Sequence, residues 1–258
     1  GSCRYSSSRN PIRARFAALR AEGVRLAIVD ALGDADLHQI GEACAEHALI
    51  TAGSGIALGL PENFRRQGLL ASNPVAATLP AIDGLSAVLS GSCSRASNAQ
   101  VRDWQASGRP AFQVDPIALA RGEDAVATAL AWAASQLAAG PVLIYATSEP
   151  EAVQRVQTEL GSEHAGRLIE QALARLAVGL AGQGVRKLVV AGGETSGAVV
   201  GALGVSALQI GPQIDPGVPW TATLGTDPML LALKSGNFGS QDFFAKALHQ
   251  VASHGTPR

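Results

Sequence analysis

Glycine, hydroxyl and carboxylate residues follow one apolar segment at a spacing suited to binding an anion. Residues 187–191 read Lys-Leu-Val-Val-Ala, and Gly192, Gly193, Glu194 and Thr195 come directly after them. We predict a buried strand, a glycine-rich turn and then a helix. Glycine lets the backbone approach a ligand closely, and the free N–H groups of a helix N-terminus attract anions. Phosphate is the anion most often bound at such a turn.

Two more segments of small and hydroxyl residues follow predicted strands. They are Ser90-Gly-Ser-Cys-Ser94 and Ala146-Thr-Ser148. In open α/β sheets, ligands bind beyond the carboxyl ends of the strands, near a switch in strand order. The three segments together therefore suit a polyphosphate that is held mainly by main-chain N–H groups and hydroxyls.

A fourth segment, residues 223–239, has the pattern of a helix with its two ends. Asp227 suits the N-cap, Pro228 the first helical residue and Gly236 the C-cap. Lys234 near that C-terminus would either offset the helix dipole or contact phosphate. A Walker P-loop is absent and no complete Gly-x-Gly-x-x-Gly follows a strand, which disfavours both P-loop and ordinary dinucleotide-binding proteins.

Strand and helix patterns alternate along the chain, which indicates an α/β fold of mostly parallel sheets with helices on both faces. We predict strands at 24–30, 48–52, 84–90, 111–115, 141–145, 187–191 and 207–210. We predict helices at 12–22, 34–47, 97–107, 123–139, 162–183 and 198–203, with further helices after 223. The first two strands and their helix form a βαβ unit. A connector at 67–83 marks a boundary between domains at 1–80 and 81–258.

Composition excludes several classes of function. The chain has 258 residues, 47% of them hydrophobic, and a formal net charge of −1. There is no electrostatic case for nucleic acid or an anionic membrane, and no apolar run could span a bilayer. Cys3, Cys44 and Cys93 lack metal-ligand or redox spacing, so we expect a reduced, cytoplasmic setting and assign no metal-ligating residues. Cys93 is predicted to be a small buried residue.

Four segments, in order, resemble the four-carbon acid sugar kinase family. They are Gly53-Ser-Gly-Ile-Ala-Leu-Gly-Leu-Pro61, Ser90-Gly-Ser-Cys-Ser94, Ala191-Gly-Gly-Glu-Thr-Ser-Gly197, and Thr223-Leu-Gly-Thr-Asp-Pro228 with Lys234-Ser-Gly-Asn-Phe-Gly239. The resemblance covers about residues 12–248, and the first segment is most similar to the 3-oxo-tetronate kinase branch. It implies an N-terminal domain for a sugar acid, a complete C-terminal domain for ATP, and a homodimer.

The resemblance also implies the site residues and the reaction. ATP, with Mg²⁺ to neutralise its charge, would meet Ser92, Ser94, Gly192, Gly193, Glu194, Thr195 and Gly236. The sugar-acid carboxylate would bind N–H groups at Ser54 and Gly55. The acceptor would be the terminal hydroxyl of 3-oxo-tetronate, with erythronate and threonate as alternatives.

Structural roles for the same residues stay open. Glu194 would either reach Mg²⁺ or accept hydrogen bonds from its own turn, and Thr195 would be an N-cap. Ser92 and Ser94 would make local turn bonds. The turn at Ser54 would be structural only.

The chain departs from the family in one respect. Family members begin with a strand ending in an Asp-Asp-Phe-Thr-Gly type motif, which is absent here. We therefore expect 1–80 to be a remnant of the sugar-acid domain, and we assign no catalytic residue. Two other functions remain: a nucleotide-binding module without catalysis, and a nicotinamide- or flavin-dependent oxidoreductase in which Asp115 binds the ribose.

Overall fold

A computed structural model describes residues 10–252, except the side chains of residues 150–152. The chain divides into two compact units, one ending at Pro74 and the other beginning at Val75. This division falls within residues 67–83. Over the described range, no helix combines the length and the apolar character needed to cross a membrane.

The unit that ends at Pro74 is helical in its described part. It contains α1 (Pro11–Ala21), α2 (Asp34–Ala43), a 3-10 helix (Ser54–Gly59) and α3 (Pro61–Arg66). The predicted strands at 24–30 and 48–52, and with them the βαβ unit, are wrong, because neither segment pairs as a strand. An apolar pattern makes a stable strand only where partner strands and a covering layer are present. Here Leu26 and Ile28 are 92% and 97% exposed, so the pattern has no core to face.

The unit that begins at Val75 holds one seven-stranded sheet and its helices. The strands are β1 (Leu85–Ser90), β2 (Ala111–Gln113), β3 (Val142–Tyr145), β4 (Val185–Ala191), β5 (Leu208–Asp215), β6 (Val218–Thr223) and β7 (Leu230–Lys234). The helices are α4 (Arg95–Ala106), α5 (Pro116–Ala120), α6 (Ala125–Gln136), α7 (Pro150–Leu160), α8 (Ser162–Gly182), α9 (Gly193–Ala202) and α10 (Phe243–Ala252). The predicted α/β class is confirmed.

The strand order reverses in the middle of the sheet. The order is β2-β3-β1-β4-β7-β6-β5. The first five strands run parallel, and β6 is antiparallel to both of its neighbours, β7 and β5. The chain lays β1 to β3 on one side and β4 to β7 on the other, so the switch lies between β1 and β4. The five parallel strands share one register level at Gln113, Tyr145, Ser90, Ala191 and Lys234. The fold therefore creates the kind of crevice where α/β proteins bind ligands.

Helices cover both faces of this sheet, because successive strand residues point to opposite sides. Leu89 packs in one core with residues of α6, α8 and α9, while Val88 packs in the other with residues of α4 and α10. In the second core, the rings of Trp104 and Phe244 meet edge to face with centroids 6.5 Å apart. Each fully buried side chain of this size contributes about 1.5–3 kcal/mol to folding. The two cores hold the strand ends rigidly in place.

The helix predicted after Pro228 is wrong. Leu230–Lys234 forms β7 instead, parallel to β4 and antiparallel to β6. A short apolar run flanked by Pro and Gly can be a helix or a buried strand, and only its surroundings decide. Asp227 is accordingly not a helix cap: its carboxylate accepts two hydrogen bonds from Arg186, at 3.0 and 2.9 Å.

Candidate functional site

A cleft of about 740 Å³ opens beyond the carboxyl ends of β1, β4 and β7. Its size is typical of a small-molecule site. All of the residues predicted to meet the nucleotide line it: Ser92, Ser94, Gly192, Gly193, Glu194, Thr195 and Gly236. The structure thus brings together three segments that are far apart in sequence. Their role in binding remains a prediction.

Three glycines let the strand ends meet closely. A Cβ atom on Gly91 would lie 2.3 Å from Thr195 Oγ1, and one on Gly236 would lie 2.3 Å from Ser92 Oγ. On Gly192 it would lie 2.8 Å from Thr195 Oγ1, and the φ of +129° there is one that residues with a side chain rarely adopt. Part of the glycine pattern is therefore required by packing. Gly193 differs, because a Cβ atom there would have no atom within 4 Å.

The N-terminus of α9 faces the cleft with its first turn. Gly192 is the N-cap, and the Ser196 N–H bonds to the Gly192 carbonyl oxygen at 2.9 Å. The N–H groups of Gly193, Glu194 and Thr195 precede this bond and have no acceptor within the helix. The prediction that Thr195 is the N-cap is wrong: it lies inside the first turn, buried, because the helix begins earlier than the apolar residues indicate.

Ser92 and Ser94 have structural bonds of their own. Ser94 is the N-cap of α4, and its Oγ accepts from Ser97 N–H at 3.2 Å. That Oγ also donates to the Gly236 carbonyl oxygen at 2.5 Å, and Ser92 Oγ accepts from Ser94 N–H at 3.2 Å. The local-turn interpretation is therefore correct for both serines. Both remain part of the cleft wall.

Lys234 ends β7 as a buried ammonium group, and it is not the helix-end lysine that was predicted. Its Nζ donates to Ser97 Oγ at 3.2 Å, to the Ser235 carbonyl at 3.1 Å and to the Gly236 carbonyl at 3.0 Å. Burial lowers the pKa of Lys234 to about 8, because an ammonium loses its hydration there. Gly236 is thus held by Lys234, Ser94 and Ser97 and is not a helix C-cap.

One end of the cleft is apolar, which the sequence interpretation did not predict. The apolar side chains that line it come from α5, α7 and α8: Pro116, Val153, Val156, Ala165 and Ile169. The spacing of Val153 and Val156 on α7 was the available signal, since residues three apart share a helix face. The cleft therefore has a glycine- and hydroxyl-rich end and an apolar end.

Charge is scarce among the cleft residues. Of the described side chains that line it, Glu194 is the one that is charged at neutral pH, and it is exposed. No group of three or more His, Cys, Asp or Glu residues could hold a metal ion anywhere in residues 10–252. Mg²⁺ is commonly held by one or two carboxylates together with substrate phosphates and water. A single carboxylate at the cleft fits a metal ion that arrives with a phosphate ligand.

Two further sequence interpretations concern this unit. Cys93 is exposed, which corrects the prediction that it is buried. It lies in the turn between β1 and α4, on the cleft, where no core covers it. Cys3 lies outside the described residues. Asp115 caps α5, where its Oδ1 accepts from the Ile117 N–H at 2.9 Å, so its carboxylate is engaged in a structural bond.

The predicted sugar-acid residues lie in the unit that ends at Pro74. Ser54 and Gly55 are the first two residues of the 3-10 helix, so their N–H groups lack intrahelical acceptors. Gly55 also lines an open concavity of about 560 Å³ within this unit. Gly59 has a packing role, because a Cβ atom there would lie 2.2 Å from the Leu37 carbonyl oxygen of α2. The binding role of Ser54 and Gly55 stays a prediction.

Two family models match the chain. A nucleotide-binding C-terminal domain matches residues 87–244, and a sugar-binding N-terminal domain matches residues 4–60. The first range contains every predicted nucleotide contact, and the second contains Ser54 and Gly55.

Similar proteins are known from bacteria. The 3-oxo-tetronate kinase of Cupriavidus necator is 62% identical over 240 residues, which cover 93% of this chain and 55% of that protein. The 3-oxo-tetronate kinase of Burkholderia multivorans is 63% identical over 240 residues, with coverage of 93% and 56%. The chain spans about half the length of the curated relatives it matches.

Solved structures share the fold. A crystal structure of a Haemophilus influenzae protein has a TM-score of 0.69 and 37% identity, covering 93% of this chain and 57% of that chain. A Salmonella typhimurium LT2 protein has a TM-score of 0.72 and 36% identity, covering 93% and 56%.

Proposed function

Since the chain belongs to the four-carbon acid sugar kinase family, we propose that it binds ATP in the cleft and takes part in phosphorylating 3-oxo-tetronate to its 4-phosphate. The observation that carries the proposal is the meeting of three glycine- and serine-rich strand ends at the switch point of the sheet. Such a crevice is where open α/β sheets bind ligands, and its donors suit phosphate.

Different residues of the cleft bind different parts of the nucleotide. The N–H groups at Gly193, Glu194 and Thr195 and the dipole of α9 bind the phosphates, while Ser92 and Ser94 add hydroxyl contacts. The apolar end of the cleft receives the base. Glu194 would hold Mg²⁺, which would neutralise part of the charge of the phosphates. These residues position the nucleotide and stabilise the negative charge of its phosphates, and no covalent intermediate is formed.

The acceptor is proposed to bind through the N-terminal unit. The match to a sugar-binding domain at residues 4–60 supports this assignment. The N–H groups of Ser54 and Gly55 bind its carboxylate, and its terminal hydroxyl takes the γ-phosphoryl group of ATP. The names of the similar kinases favour 3-oxo-tetronate over erythronate and threonate.

Nucleotide binding and its location can be measured in one experiment. Calorimetric titration with ADP and ATP, with and without Mg²⁺, gives the affinities. Cys93 is exposed on the cleft and Cys44 is buried, so alkylation with N-ethylmaleimide followed by peptide mass spectrometry reports where the ligand lies. We expect micromolar binding and slower alkylation of Cys93 in the presence of ADP. Binding that leaves Cys93 as reactive as before would contradict the location.

Turnover tests the reaction. The protein is mixed with ATP, Mg²⁺ and each of 3-oxo-tetronate, erythronate and threonate, and ADP release is followed. We expect the highest kcat/KM with 3-oxo-tetronate. Tight ADP binding without turnover of any of the three acids would instead support a nucleotide-binding module without catalysis. This is the second candidate function, because the chain covers only about half of each relative. The homodimer and the cytoplasmic setting stay predictions, the first of which light scattering can check.

A further inference from the structure

Lys234 is a buried cation whose charge has no anionic partner in the described part of the chain. The residue is 1% exposed. Its three hydrogen-bond acceptors, Ser97 Oγ and the carbonyls of Ser235 and Gly236, are all neutral. Burial of an ammonium group costs free energy that neutral acceptors offset only in part. The charge of Lys234 therefore remains to be balanced.

The position of this charge is next to the cleft. Lys234 is in register with Ala191, the residue before the Gly192 turn, and its carbonyl accepts from Gly192 N–H at 2.9 Å. Its Nζ bonds to carbonyls of Ser235 and Gly236, which both line the cleft. The ammonium group thus lies against the inner side of the cleft wall. An anion that bound against Ser235 or Gly236 would be separated from the ammonium group by that residue alone.

The surrounding charged groups do not supply the missing anion. Asp215 bonds to Lys246 and Ser240, and Asp242 accepts from Ser240 at 2.6 Å. Asp103 of α4 accepts from Gln241 at 3.5 Å. The remaining titratable groups on elements around Lys234 are Arg95 and Arg102 on α4, Arg186 and Lys187 on β4, Cys93 before α4, Glu194 on α9 and His249 on α10. Of these, Glu194 and Cys93 line the cleft.

We infer that Lys234 is a positioning residue whose buried charge is completed by the nucleotide phosphates, so that nucleotide binding and protonation of Lys234 favour each other. The inference rests on the proposed nucleotide site. The same ammonium group holds Gly236 against Ser94 and Ser97 of α4. The protonation state of Lys234 therefore controls both the charge behind the cleft wall and the position of Gly236 in that wall.

The direction and the largest size of the pH effect on nucleotide affinity follow from the pKa of Lys234 without and with the ligand. Without ligand the pKa of Lys234 is about 8, and a neighbouring anion moves it back toward the ordinary value of 10.5. By linkage, nucleotide affinity is full below pH 8 and falls as the pH rises through 8. Each pKa unit is tenfold in affinity, so a complete return to 10.5 gives a loss of about 300-fold at most.

Lysine NMR tests the inference without altering Lys234. The chain has three lysines, Lys187, Lys234 and Lys246, so protein labelled with ¹³C at lysine Cε gives three signals. Lys187→Arg and Lys246→Arg assign two of them and leave Lys234 by elimination. The three lysines are titrated from pH 6 to 11 with and without ADP. We expect ADP to raise the pKa of Lys234 by at least one unit and to change the pKa values of Lys187 and Lys246 by no more than a few tenths. The last ADP phosphate proton is lost at about pH 6, well below the pH at which Lys234 titrates.

A matched set of variants provides the second measurement. Calorimetry at pH 8.5 in buffers of different ionisation enthalpy should show proton uptake on ADP binding, and Cys93→Ser excludes the thiol as its source. Lys234→Arg should bind ADP with an affinity that does not depend on pH, because the guanidinium stays charged. Lys234→Met should weaken binding 10-fold or more at pH 7.

The outcomes separate the inference from the proposed function. If ADP binds and the pKa of Lys234 does not move, the inference is wrong while the nucleotide site stands. If ADP produces no heat and no spectral change, the proposed function fails and the inference fails with it. A lysine with a structural role alone would show neither a ligand-dependent pKa nor proton uptake.

Discussion

Replacement of Gly193 by valine should block phosphate binding while leaving the fold intact. Gly193 is the first residue of α9, is exposed and lines the cleft. A Cβ atom built on it meets nothing within 4 Å, and its φ is not positive. The two methyl groups of valine can therefore be accommodated without strain. They would occupy the space in which a phosphate must approach the N–H groups of the same turn.

The magnitude follows from the bonds that would be lost. A hydrogen bond to a charged group contributes about 1.5–3 kcal/mol. Loss of two such bonds gives about 3–6 kcal/mol, which is a weakening of the ADP Kd by about 10² to 10⁴. Valine has a somewhat higher helix propensity than glycine, so the free energy of unfolding should change by less than about 0.5 kcal/mol.

Calorimetric titration with ADP and Mg²⁺ measures the affinity, and urea unfolding measures the stability. Gly197→Val is the matched control, because Gly197 is in the same helix, has open space around its Cβ position and does not line the cleft. It should bind ADP within threefold of the unaltered protein. The reasoning is refuted if Gly193→Val unfolds at the ordinary urea concentration and still binds ADP within that threefold range.

Three further changes test the architecture around the site. Gly192→Ala should lower the free energy of unfolding by about 1–3 kcal/mol, since a backbone with φ +129° is strained for alanine; urea unfolding checks this, with Gly201→Ala of the same helix expected to be neutral or stabilising. Gly41→Ala should reduce the hydrogen-exchange protection of α2, because the added Cβ atom would lie 2.4 Å from the carbonyl carbon of Gly59 in the 3-10 helix. Unchanged protection would contradict the packing of Gly59 on α2. Burial opposes ionisation of Asp215, but hydrogen bonds, above all the one from Lys246, lower its pKa. This carboxylate therefore stabilises the fold above its unfolded-state pKa and ceases to do so as the pH falls through its folded-state pKa. Asp215→Asn should thus lower the free energy of unfolding by about 1.5–3 kcal/mol at pH 7 and by progressively less toward pH 3. If the difference between the urea midpoints of this variant and the unaltered protein stays constant with pH, the role assigned to the Asp215 carboxylate is wrong.

Local sequence was sufficient for most of the second unit. Residues 188–191 are a continuous apolar run before two glycines, and they form the buried strand and turn that this pattern predicts. The same holds for 141–145, where the strand forms between a helix and a small-residue turn. Both runs contain Val or Ile, which favour a strand over a helix, as expected for parallel strands that are buried on both faces.

The predictions that failed concern segments whose state depends on distant partners. Residues 24–30 have a strand pattern but no strand beside them, and their apolar side chains are left exposed. Residues 230–234 have helix-like ends but become β7, because a place beside β4 and β6 buries them more completely. Cys93 follows a buried strand by only three residues and is nevertheless exposed, since the chain turns outward at the cleft.

The sequence by itself determined the α/β class, the family and the small residues at three strand ends, because these depend on composition and short-range spacing. Only the tertiary structure placed Gly192, Ser94 and Gly236 on one cleft, added an apolar end from α5, α7 and α8, and buried Lys234 behind the wall. The cleft wall at Gly236 and the burial of Lys234 arise from contacts between residues more than a hundred positions apart, Ser94 with Gly236 and Ser97 with Lys234. Local spacing carries no record of such contacts, because strand order and the packing of both faces decide them.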